Sequence, residues 1–144
     1  ASGVMAFDTD PGYPVLGYGL DFRPFMGAGL RIHFEDGRIT RLETDGDQAE
    51  LDRLWAEQTG DRDRLGEFVL GCNPLLTEVP GSSFLPYCGF GDGVLRLTIG
   101  ENVESGGTNE STLHRWMMFR NATISVDGEE LVADGRLTLA GTGG

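Results

Sequence analysis

Asp-Gly pairs at positions 36–37, 127–128 and 134–135 each separate short segments in which apolar residues alternate with polar ones. Asp-Gly readily enters the left-handed backbone conformations of a tight hairpin turn, because glycine has no Cβ and aspartate tolerates positive φ. A chain punctuated in this way is committed to short antiparallel strands. In "LRIHFEDGRITRLET", Leu30, Ile32 and Phe34 alternate with polar neighbours before the turn, and Ile39 and Leu42 resume the pattern after it. "ATISVDGEELVADGRLTL" repeats the device twice in smaller ribbons. With glycine at 23 of 144 positions, such turns are the dominant theme of the chain.

One segment breaks the period of two. "DQAELDRLWAEQTG" offers Asp47 as an N-cap, Leu51, Leu54 and Trp55 on one helical face, and Gly60 as a C-cap. The spacing predicts a helix here whose stripe faces a sheet, followed by a second helical turn over 61–65. "GEFVLGCNP" reads as a buried strand ended by Pro74, 75–93 as an irregular loop, and "GVLRLTIG" as another strand. The expected fold is therefore α+β, mainly antiparallel sheet with one principal helix. At 144 residues it should form a single domain, with an irregular lead-in over 1–26, a core over 27–136 and a flexible tail over 140–144.

Charge narrows the partners. All 11 basic residues are arginine, against 23 acids, for a formal net charge of −12. Such a chain repels phosphate backbones and anionic lipid, so nucleic acid is not an expected partner. No apolar run approaches the roughly 18 residues of a membrane span. The first residues carry neither a basic region nor an apolar stretch, so the expected location is cytoplasmic. On that reading the glycosylation patterns at Asn109 and Asn121 carry no meaning. A small-molecule partner is expected, and self-association or a separate partner subunit stays open.

Several residues are set aside. Cys72 and Cys88 lack zinc-ribbon spacing and read as buried thiols. His33 lies opposite Ile32 and Phe34 in period and reads as solvent-facing. Asp8 and Asp10 fit turn chemistry before Pro11, and Ser82-Ser83 lacks a nucleophile elbow. "GENVESGG" lacks the Lys-Ser/Thr of a phosphate loop. In "WMMF", alternation puts Trp116 and Met118 on the face of His114, with Met117 and Phe119 opposite; at least one set is core.

Four stretches in order, "FEDGRI", "LGEFVLGCNP", "LTIGENVESGG" and "TNESTLHRW" followed by "ISVDGEELVADG", resemble the C-terminal, metal-bearing half of the aminopeptidase T and aminopeptidase S metallopeptidases. That superfamily also includes iron-dependent dihydroxypyridine ring-cleaving dioxygenases. The likeness covers 27–136 and implies the catalytic half alone. Glu67 matches one of the family's metal ligands and His114 another. Arg96 stands where the family has a ligating histidine, Val103 near its tyrosine, and Trp116 where His-x-Asp has its acid.

Two ligands are too few for zinc or non-haem iron, and a guanidinium cannot deprotonate to replace an imidazole. One expectation is a former site restitched into an Arg96–Glu67 ion pair. The other is a metal-free, cofactor-free site for a small organic molecule, performing isomerisation, cyclisation or hydrolysis in specialised metabolism. There Glu67 and His114 would exchange protons, Arg96 or Arg115 would anchor an anion, and Trp116 and Met118 would form an apolar wall. A non-catalytic partner subunit is the first alternative. A mononuclear metal enzyme with replacement ligands from Asp92, Glu101 or Glu104 is the second.

Overall fold

The computed structural model describes residues 2–7, 16–76 and 90–138. Asp8, Asp10, Ser82, Ser83, Cys88 and the tail over 140–144 lie outside them. The architecture is α+β, dominated by antiparallel strands with one main helix. Among the described residues no helix is long and apolar enough to cross a membrane. The chain divides into two compact units, Ala1–Glu67 with Thr98–Trp116, and Phe68–Leu97 with Met117–Gly144.

In the first unit, β1 (Gly3–Phe7), β3 (Leu30–Glu35) and β4 (Arg38–Glu43) form a three-stranded antiparallel sheet in the order β1-β3-β4. The β3–β4 hairpin turns on Asp36 and Gly37, both at positive φ, as the Asp-Gly signal requires. Alternation sends Met5 and Phe7 of β1, and Leu30 and Ile32 of β3, into the core, with Leu42 of β4 beside them. The residues read as an irregular lead-in thus include a full strand. They also include β2 (Gly17–Tyr18) and the short helix α1 (Arg23–Met26), which buries Phe25 and Met26.

The principal helix α2 spans Gln48–Ala56, and Asp47 caps it as expected, its side chain accepting from Glu50 N–H at 2.9 Å. The C-cap is Glu57, not Gly60. The end of the helix is closed instead by Arg62, whose Nη1 donates to the carbonyls of Trp55 and Gln58 at 2.6 Å each, with the guanidinium over the Trp55 ring. Gly60 has another task. At φ 73° it bridges to Ser111, and a Cβ there would come within 2.2 Å of the Glu110 carbonyl. Of the expected apolar stripe only Leu51 is fully buried. Residues 61–64 form a turn closed by Arg64 N–H to Asp61 O, not a helix, because β5 begins at once at Leu65.

The strands β5 (Leu65–Leu70), β6 (Leu95–Gly100) and β7 (His114–Phe119) join β2 in a four-stranded sheet of order β2-β7-β6-β5. Expected to be buried, β5 is only partly so, and Phe68 is 60% exposed. The second unit carries the antiparallel ribbon β8 (Ile124–Val126), β9 (Glu129–Ala133) and β10 (Arg136–Leu137), turned by Asp127-Gly128 and Asp134-Gly135 at positive φ. Cys72, read as a buried thiol, is exposed in the turn after β5.

His33 also departs from expectation. Its side chain is largely covered, with Nε2 2.6 Å from Glu43 of β4, which also faces Arg41 at 3.3 Å and Arg31 at 3.7 Å. The hydrogen bond from His33 leads the effects that hold the Glu43 carboxyl below its usual range, with Arg41 and Arg31 adding to it. A depressed folded-state value stabilises the fold above the ordinary carboxylate value of about 4.3, and the contribution is lost as pH falls through the lower folded value. Glu43→Gln should therefore lower the urea midpoint at pH 7. The gap to wild type should close as the pH falls below about 4.

Candidate functional site

The first unit gathers the chemistry-bearing side chains around the segment between β6 and β7. Two asparagines shape this segment. Asn102 Oδ1 accepts from Asn109 N–H at 2.9 Å while its Nδ2 donates to Gly66 O at 2.8 Å, and Asn109 Nδ2 reaches the carbonyls of Leu65 and Gly100. Gly107 lies against the Asn102 amide so closely that a Cβ would fall 2.1 Å from its oxygen. The Gly-Gly-x-Asn pattern thus has a mechanical reason. It fixes the 3₁₀ turn Val103–Ser105, which sets Ser105 Oγ on a carboxylate oxygen of Glu67. The other oxygen of Glu67 accepts from Thr98 Oγ1 at 3.1 Å.

His114, at the start of β7, lies in a chain of directed hydrogen bonds. Trp116 Nε1–H donates to His114 Nε2 at 2.8 Å, and His114 Nδ1 is 2.7 Å from the Glu101 carbonyl. An indole nitrogen can only donate and a carbonyl can only accept, so the network assigns a neutral imidazole with its proton on Nδ1. Tyr18 stacks on the imidazole at 5.5 Å between centroids and donates its hydroxyl to Glu101 Oε2 at 3.0 Å. Glu101 Oε1 accepts from Val103 N–H. The pairing of β2 with β7 delivers Tyr18 opposite His114, with Gly17 opposite Arg115. Loss of solvent around the Tyr18 phenol, then its bond to Glu101 and the charges of Glu101 and Glu104, raise its pKa, so it remains a donor at neutral pH.

The other predicted site residues are placed as follows. Arg115 donates from Nε to Leu20 O at 2.9 Å and from Nη2 to Gly19 O at 2.8 Å. Desolvation pulls its pKa down, opposed by Asp21. Arg96 and Met118 belong to the second unit. Both are buried there, Arg96 with its guanidinium carbon 5.5 Å from the Phe90 ring centroid. Met117, in the same unit, is buried too. Glu67, His114, Arg115 and Trp116 share the first unit. Sequence reasoning missed Tyr18, Thr98, Ser105 and Asn102. A two-residue strand has no period to read, and hydroxyls and amides are too common to single out.

The family likeness implies a divalent metal, and the residues present do not fit one. Among the described residues no three His, Cys, Asp or Glu side chains converge as a metal would need. The imidazole nitrogen that retains a lone pair already accepts from Trp116.

No family model and no curated protein sequence matches the chain. A 2,5-dihydroxypyridine dioxygenase from Pseudomonas putida KT2440 matches in structure, with a TM-score of 0.67 at 19% identity over 96% of this chain. The likeness is one of fold. The chain spans 40% of that protein's length.

The polarity of Arg115 marks it as scaffold. Arg115→Met should cost about 2 kcal/mol, the worth of hydrogen bonds from a charged donor, read as a lowered urea midpoint.

Proposed function

We propose that the chain handles a small organic molecule by proton transfer, without a bound metal, and that Glu67 is the group that gives and takes the proton. The observation carrying this reading is the difference between the partners of Glu67 and those of His114. Glu67 is set by the hydroxyls of Thr98 and Ser105, which can donate to a carboxylate or turn to accept from a carboxylic acid. His114 is set by an indole N–H and a backbone carbonyl, whose polarity cannot reverse. Of the two candidates for acid–base work, Glu67 can keep its two hydroxyl contacts in either protonation state, whereas His114 is held in one tautomer.

The likeness in fold supports kinship within the superfamily of aminopeptidase T and the dihydroxypyridine dioxygenases. The donors of Arg115 are engaged by main chain, and the groups around the first-unit cluster are carboxylates and aromatic rings. A neutral, planar, hydroxyl-bearing ring suits them better than an anion. The neighbour's 2,5-dihydroxypyridine is such a ring and serves as the first probe.

Incubating 2,5-dihydroxypyridine with the protein in deuterated buffer, without oxygen and with a chelator present, tests this reading. Ring-proton exchange followed by nuclear magnetic resonance should exceed the buffer rate, and Glu67→Gln should lose about 10²-fold or more of the enhancement. Exchange at the buffer rate, or a reaction that begins only when ferrous iron and oxygen are added, would count against it.

A further inference from the structure

We infer that Trp116 is the positioning residue that decides what His114 can do: its indole N–H occupies the one imidazole lone pair and closes the ring to divalent cations and electrophiles. This rests on the metal-independent reading of the site, but not on the chemistry assigned to Glu67, and testing it requires no substrate.

A neutral imidazole has a single in-plane lone pair, and with the proton on Nδ1 that pair is on Nε2. A cation or an electrophile must approach along that direction. Trp116 Nε1 stands there at 2.8 Å, with the indole edge-on to the imidazole at 69° and 6.4 Å between centroids. The other nitrogen offers no way in, because its proton points at the Glu101 carbonyl. The indole is not incidental to the strand. Residues two apart on β7 share a face, and the Trp116 main chain is tied to Leu16 O at 3.0 Å, so the backbone places the indole on the side of the imidazole.

A phenylalanine at 116 would keep a flat ring and remove the donor. Diethyl pyrocarbonate acylates an imidazole through its lone pair, and the chain has only His33 and His114, so peptide mass mapping separates the two sites. In the wild type His114 should stay unmodified while free histidine reacts fully. In Trp116→Phe it should react at least about tenfold faster, with His33, paired to Glu43 on another strand, unchanged as a report that the fold is intact. Equal rates at His114 in the two proteins would overturn the inference.

Should the variant fail to fold, the wild type still decides the matter. There are only two tryptophans, and the Trp116 indole N–H resonance should be shifted downfield and slow to exchange with solvent. An indole proton at the unstructured position that exchanges at once, or zinc ions that shift the His114 ring signals at micromolar concentration, would overturn it equally.

Discussion

Everything at the candidate site depends on how the segment between β6 and β7 is pinned. Asn102 and Asn109 replace a missing β-ladder with side-chain amides, tying the segment to the carbonyls of Gly66, Leu65 and Gly100. Buried main-chain groups must find partners, and in this irregular segment the two amides supplement the turn hydrogen bonds of the main chain itself. Once the segment is fixed, three things follow from it. Ser105 is set on Glu67, the Glu101 carbonyl meets His114, and the Glu101 carboxylate meets Tyr18. A loop without those amides would scatter all three.

The polarity of these contacts matters more than their number. Hydroxyl partners leave a carboxylate chemically adaptable, whereas an indole on one side and a carbonyl on the other commit an imidazole to one tautomer. A tryptophan two residues beyond a histidine adds more than an apolar wall. It brings a hydrogen-bond donor to bear on Nε2 of His114.

Much of the fold was legible because the turns and the helix start are written in local chemistry. The Asp-Gly pairs at 36–37, 127–128 and 134–135 turn at positive φ, and Asp47 caps α2. What could not be read was decided at long range. Gly60 looks like a helix C-cap until Ser111 requires a close approach, and Arg62, not a glycine, closes α2. Period alone turned His33 outward, but Glu43 on the next strand covers it. Of the site, Glu67, His114 and Trp116 were identified from a family pattern, yet the partner that stacks on His114 comes from a two-residue strand far away in the chain. Alternation could not assign the two methionines of β7 to separate environments either, since both are buried.

The arginines show why residue type alone misleads about ligands. In a chain whose 11 basic residues are all arginine, each guanidinium invites reading as an anion anchor. Here Arg115 and Arg62 spend their planar donors on main-chain carbonyls, where a fork of N–H groups can satisfy two acceptors at once. A lysine could not hold both with the same geometry. With their donors turned to the main chain, Arg62 and Arg115 serve the scaffold. The scaffold's needs, met first, thereby constrain what the site can recognise.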